Sequence, residues 1–309
     1  MNDDTSPRST VTNKKNILVT GANGQLGMEL RSIAQLYPGY HFIFSAKDQL
    51  PIENVDAINR FFDQQPIDFC INCAAYTAVD KAETEKEKAF LVNGTAVGEL
   101  ATACKIHNIQ LIHISTDYVF RGDANKAYLE TDPTDPVNSY GESKLKGEQL
   151  ALQNDASTII IRTSWLYSSF GNNFVKTILH LMREKDRIKV VNDQYGCPTY
   201  AADLAGAIML IVEKLAVGNG KSALPTVQPL IYNYSNAGVT NWYEFALAIK
   251  ELSGSQCLIE PVPTSEYPTA AKRPQYSVLD TIKIRDQFQV SVAEWTVSLK
   301  KCLSRLKTH

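Results

Sequence analysis

The sequence carries no excess charge of either sign: 31 basic residues meet 33 acidic ones, for a net charge of -2 and a pI near 6.2. A chain so balanced has no electrostatic footprint for nucleic acid or an anionic membrane surface, and neither is expected as a partner. It lacks any apolar run long enough to span a bilayer, and its first residues lack the apolar core of a signal peptide. A cytoplasmic location is therefore expected. Cysteine is sparse, at six residues in 309, and does not form a disulfide framework in a chain of this size. Cys70 and Cys73 lie close together, but in an expected strand, where residues three apart point to opposite faces. They read as buried structural thiols. No internal repeat is evident.

What is present is an ordinary globular composition, 44% hydrophobic and 21% charged, with length enough for one large domain or two smaller ones. Residues 1–15 are polar and without period, and read as a disordered tail. From residue 16 onward, short apolar runs alternate with amphipathic helical patterns. Strands are expected at 16–20, 41–45, 68–73, 109–115 and 158–163, with helices between them at 28–36, 55–64 and from Thr84 to His107. A further helix opens at Asn138 or Ser139, both good N-cap residues. Such alternation argues an α/β fold: a Rossmann-type, doubly wound parallel sheet with helices on both faces. After Arg162 the pattern loosens. A helix at 173–184, a strand at 188–192, an apolar helix at 201–215, a loop at 216–228, a strand at 231–234 and a helix capped by Thr240 are expected. The expected division is a dinucleotide-binding domain over 16–164 plus roughly 188–215, and a smaller α/β substrate lobe over 165–187 and 216–309.

Two stretches carry chemistry. Gly21-Ala-Asn23-Gly24-Gln25-Leu26-Gly27 stands between the first strand and first helix. Glycines there allow a tight turn and bring backbone amides to a pyrophosphate at the helix N-terminus. Three glycines can also be a plain turn, but in this position they point to a dinucleotide. The second strand ends without an acid. Lys47, able to meet a 2′-phosphate, and Asp48, able to meet a ribose 2′-hydroxyl, follow it, so NADPH or NADH is expected without a choice between them. Asn72-Cys-Ala74-Ala75-Tyr76 ends the third strand with the small residues that a close cofactor requires, although tight strand–helix packing would use them equally.

The second stretch runs from Ser115 to Lys144. Thr116 falls at the carboxyl edge of the fourth strand, where ligands of open α/β sheets bind. Tyr140 and Lys144 lie one turn apart on the next helix, and of 14 tyrosines only Tyr140 has a lysine four residues on. A phenol beside a cation has its pKa lowered and suits proton donation, with Thr116 bonding the same carbonyl oxygen. Taken alone, the pair could be an exposed tyrosine and lysine on an amphipathic helix.

Gly21-x-x-Gly24-x-x-Gly27, Ser115-Thr116-Asp117-Tyr118-Val119-Phe120 and Tyr140-x-x-x-Lys144 resemble the extended short-chain dehydrogenase/reductases. Further stretches around Tyr76–Glu83, Arg162–Tyr167, Gly171–Phe174 and Asn192–Gly196, with Pro198-Thr199 and Arg273-Pro274, narrow the resemblance to the dTDP-4-dehydrorhamnose reductase family. It covers about residues 16–300. The resemblance implies a catalytic set of Thr116, Tyr140 and Lys144, with Lys144 also serving the cofactor. Cofactor contacts are expected at Gly21, Asn23–Leu26, Lys47, Asp48, Ala74–Tyr76 and Asn93. A dTDP-sugar would lie against Thr116, Asp117, Tyr118 and Trp165, with Gln194 and Thr199 on its nucleotide side and Arg273 on its diphosphate. Some relatives hold a divalent metal at a dimer interface. Glu29 matches one ligand and Ala202 replaces a second, so no metal is expected, and a homodimer stays open. Two other readings remain at this point: a nucleotide-sugar epimerase that keeps its NAD, and a non-catalytic subunit like the regulatory partner of methionine adenosyltransferase.

Overall fold

The structure is a computed structural model and describes residues 14–217 and 229–307. Most of the expected tail and of the expected loop at 216–228 lies outside these residues. Six strands form one parallel sheet: β1 (Lys15–Thr20), β2 (Tyr40–Ser45), β3 (Phe69–Asn72), β4 (Gln110–Thr116), β5 (Ile159–Thr163) and a late strand, Ile231–Tyr234. Their spatial order is β2-β1-β3-β4-β5 and then Ile231–Tyr234. The chain leaves β1 toward β2 on one side and returns to β3 on the other. That reversal opens a crevice above the carboxyl ends of β1 and β3.

Each face of the sheet is covered because its strands are apolar on both sides, as a parallel sheet requires. On one face Ile17, Val19, Ile71 and Ile161 pack under α1 (Gln25–Ile33) and the helix Ala201–Val217. The latter is apolar almost all round, and Leu204, Ile208, Ile211 and Val212 are fully buried. Losing such a side chain to alanine costs about 2–5 kcal/mol. On the other face Leu18, Cys70 and Leu111 meet Ile58 and Phe62 of Val55–Gln64 and Val97, Leu100 and Cys104 of Ala96–Ile106.

The second half departs from the expected division in two places. The segment Arg187–Val191 pairs in parallel with Leu258–Val262 in a small separate sheet and takes no part in the main one. Conversely, Ile231–Tyr234 lies beside β5, and Ile284 and Phe288 of the helix Ile282–Phe288 join the main core. Hydrophobic pattern alone cannot tell which of two sheets a short buried strand will join. The small lobe otherwise gathers around Tyr167, Phe245, Ile249 and Leu299.

Two helix starts also differ. The expected helix from Thr84 to His107 runs without a break from Lys86 to Ile106 through a π-helical turn at Leu91–Thr95, with Glu85 and not Thr84 at its N-cap position; Val79–Ala82 is a separate short helix before it. Asn241, and not Thr240, caps Trp242–Ser253, accepting from the Glu244 amide at 2.8 Å.

Candidate active site

A cleft of about 1280 Å³ runs along the carboxyl edge of the sheet, from the turn after β1 to the small lobe. One end is built by Gly21, Asn23, Gly24, Gln25 and Leu26. Gly21 adopts φ +62°, and a Cβ there would stand 2.6 Å from the Ala74 nitrogen, so only glycine lets the turns after β1 and β3 meet. No side chain caps α1 at Gly24 and no acid sits in its first turn. Its amides and positive dipole end therefore stay available to an anion, and the cradle fits a dinucleotide pyrophosphate. Ala74, Ala75 and Tyr76 line the adjoining wall, and Lys47 and Asp48 the far end. Lys47 forms a mostly exposed ion pair with Glu53 at 3.2 Å.

The opposite wall holds Thr116, Asp117, Tyr118, Tyr140 and Lys144 together. α2 (Ser139–Asn154) is started by Asn138, whose Oδ1 accepts from the Gly141 amide at 2.8 Å. Gly141 lets this helix press against the Tyr118 loop, since a Cβ there would lie 2.2 Å from the Tyr118 carbonyl oxygen. Further along, Glu148 binds Arg162 of β5 through a fully buried ion pair at 2.7 Å, which pins the helix to the sheet. The helix therefore presents Tyr140 and Lys144 at a set height above Thr116.

Electrostatics in this wall differ from the sequence expectation. Burial pushes the Tyr140 phenol up to about 12; the Thr116 hydroxyl opposes this and Asp117 adds to it. The Lys144 amino group meets the Ile114 carbonyl oxygen at 2.6 Å and His113 at 3.3 Å. Burial lowers Lys144 itself to about 8. Asp117 is raised to about 7 by burial, against hydrogen bonds from Ser277 and Thr116, and its Oδ2 has no partner. The Thr116 hydroxyl donates to its Oδ1 at 3.0 Å.

Residues 15–308 match the family described as RmlD substrate binding domain. The chain is 41% identical to the dTDP-4-dehydrorhamnose reductase of Aggregatibacter actinomycetemcomitans over 290 residues, covering 92% of this chain and 97% of that one. The chain belongs to the dTDP-4-dehydrorhamnose reductase family. The Escherichia coli (strain K12) reductase is 38% identical, over 95% of this chain and 98% of its own. The crystal structure of the Bacillus anthracis str. Ames reductase, in complex with NADP, superposes with a TM-score of 0.87 at 36% identity, over 94% and 99% of the two chains.

Not every residue expected from the reductase family's pattern reaches this cleft. Asn93 is fully buried in the π-helical turn and grips the Tyr76 backbone from both sides, accepting from its amide at 2.8 Å and donating to its carbonyl at 3.0 Å. It also donates to Ser143, so it fastens the β3 loop to the Tyr140 helix and does not line the cavity. Gln194 donates to Thr264 at 3.0 Å, and Thr199 is fully buried between the lobes. Arg273 is bound to Asp80. Each lies outside the cleft lining: Asn93, Gln194 and Arg273 are held by partners distant in sequence, and the Thr199 hydroxyl is buried without a partner among the described residues. Glu29, the matched metal position, is fully buried and accepts from Ser168 at 2.6 Å and Arg305 at 2.7 Å.

Sequence reasoning missed the partner of Trp165. Trp165 lies in the cleft wall at φ +46° with its ring stacked 3.6 Å from that of Trp242, which also lines the cleft. A tryptophan at the start of an amphipathic helix offers no local sign of this contact. Asn172 and Phe174 complete the wall on the small-lobe side.

Proposed function

We propose that this chain catalyses the NAD(P)H-dependent reduction of the C4 ketone of dTDP-4-dehydro-L-rhamnose to dTDP-L-rhamnose, a step of nucleotide-sugar biosynthesis in the cytoplasm. The observation that carries the reading is the meeting, in one cleft, of the anion cradle at Gly21–Leu26 with Thr116, Tyr140 and Lys144. The length-wide kinship to the reductases supports the choice of substrate. No described helix is long and apolar enough to cross a membrane.

The nicotinamide supplies the hydride when it is bound. The protein's part is position and a proton. The α1 amides and Gly21 turn would hold the pyrophosphate, with Lys47 and Asp48 at the adenosine end. Tyr140 Oη protonates the oxygen that develops at C4; the burial that raises its pKa keeps the proton in place at neutral pH until a negative oxygen forms beside it. Thr116 holds the same oxygen in line. The Trp165–Trp242 stack supplies an apolar wall that excludes water from the sugar face.

The test is NADPH oxidation, followed by absorbance, with purified full-length chain and the dTDP-4-keto sugar. Cofactor binding without oxidation would sink the reading. Interconversion of sugars without net cofactor change would favour an epimerase; the Thermus thermophilus UDP-glucose 4-epimerase, at 17% identity, shares the fold alone.

A further inference from the structure

Behind Lys144 runs a buried chain of polar groups that the proposed chemistry does not use. Thr20, Asn72 and His113 are all fully buried, on β1, β3 and β4. Asn72 Oδ1 accepts from the Thr20 hydroxyl at 2.7 Å and from the Ala74 backbone amide at 3.1 Å. The backbone donor decides which way the Asn72 amide faces, since a flipped side chain would set N–H against N–H. Its Nδ2 therefore donates to His113 Nδ1, 3.0 Å away. A neutral imidazole that accepts at Nδ1 carries its proton on Nε2. That Nε2–H points at Lys144 Nζ, 3.3 Å away, while Nζ itself donates to the Ile114 carbonyl at 2.6 Å. An ammonium has only donors and cannot answer an N–H; an amine has a lone pair that can.

We infer that Asn72 locks His113 in the Nε2–H tautomer, and that His113 is thereby a positioning residue which favours the amine form of Lys144 in the free enzyme at mildly alkaline pH. The inference deepens the proposed function, and rests on it for the role of Lys144. Cofactor binding beside Lys144 then restores the ammonium, with one proton taken from solvent. The surroundings agree. Burial depresses both His113 and Lys144, and the charge of Lys144 further opposes protonation of His113. The other titratable groups facing Lys144 are Glu148 on its own helix and the Cys73 thiol after β3, whose charged forms would favour the ammonium. Glu148 is already engaged by Arg162, and burial holds the Cys73 thiol protonated.

The experiment has two arms on the full-length protein. In the first, ¹⁵N spectra of histidine-labelled free protein read the His113 tautomer directly; Nε2–H is expected, and Nδ1–H overturns the inference. In the second, calorimetric titration of NADH at pH about 8.5 in buffers of different ionisation heat counts protons. An ordinary lysine is charged before and after binding at that pH, so the uptake expected here, more than about half a proton per chain, marks a depressed one. Asn72→Asp gives His113 Nδ1 an acceptor, turns Nε2 into an acceptor for the ammonium, and should abolish the uptake. His113→Gln, whose amide can turn its carbonyl to Lys144, should do the same if the first variant does not fold. Binding without proton uptake in the wild type, or uptake unchanged in a folded variant, overturns the inference. Absence of any NADH binding would instead count against the proposed function, and the tautomer arm would still decide the lock.

Discussion

The Asp80 carboxylate takes both terminal nitrogens of Arg273, each at 2.8 Å. Asp80 Oδ1, the oxygen that takes Arg273 Nη1, also accepts from the Ala271 amide at 3.0 Å, so the loop around Arg273 is tied to the segment that follows Tyr76. A guanidinium fork satisfied in this way is not free for a diphosphate, and its partner sets a different expectation. If the pair acts as a clamp, Asp80→Ala and Arg273→Ala should raise the KM for the nucleotide sugar by similar factors, and the double variant should be no worse than either. Should Arg273 instead hold the diphosphate, Asp80→Ala would free the fork and leave that KM unchanged or lower. The bond to Arg273 holds Asp80 below the ordinary carboxylate range. The clamp is therefore intact above the ordinary carboxylate pKa and is lost as pH falls through the lowered value.

Tyr140→Phe removes one hydroxyl from a wall otherwise fixed by Asn138, Gly141 and the Glu148–Arg162 pair. Turnover should fall by roughly 10²-fold or more, the lower range for a general acid. Melting temperature and NADPH affinity should stay at wild-type values. Turnover within a few-fold of wild type would move the proton donor elsewhere.

Asp117 carries a stability cost that pH should reveal. Its pKa in the folded protein, about 7, lies above that of an unfolded carboxyl. Its contribution is present below the ordinary carboxylate pKa and is lost as pH rises through about 7, where the buried group must ionise with Oδ2 unpartnered. Asp117→Asn should therefore melt higher than wild type at pH about 8, by a few kcal/mol at most, with the gap closing toward pH about 4. A gap that does not change with pH would assign the effect to packing. Activity should drop in the same variant, since this group lies beside Thr116.

Lys47 and Glu53 meet at the end of the cleft proposed for the cofactor's adenosine, 3.2 Å apart. The lysine is mostly exposed, so its affinity for a 2′-phosphate is screened by solvent and by its partner. Both NADPH and NADH should serve. Lys47→Ala should weaken NADPH and spare NADH, and Glu53→Gln should shift preference toward NADPH. Competitive titration of the two cofactors measures both; an unchanged ratio in either variant would remove that residue from the site.

The layered fold and the grouping of Thr116, Tyr140 and Lys144 in one cleft wall were legible because both rest on short-range pattern. Alternation of apolar runs with helical periods marks β1 to β5, a glycine turn marks the cradle, and a four-residue step puts Tyr140 and Lys144 on one helix face. Such signals depend only on backbone geometry over a few residues. Tertiary packing decided the rest. It took Ile231–Tyr234 into the main sheet beside β5 and sent Arg187–Val191 to a sheet of its own. It matched Arg273 with Asp80, stacked Trp242 on Trp165, and aimed Lys144 at Ile114 and His113 in place of Tyr140. In each case the partner lies tens to hundreds of residues away. Which of several chemically equal partners a side chain meets is set by how the layers close on one another, and no local period records it.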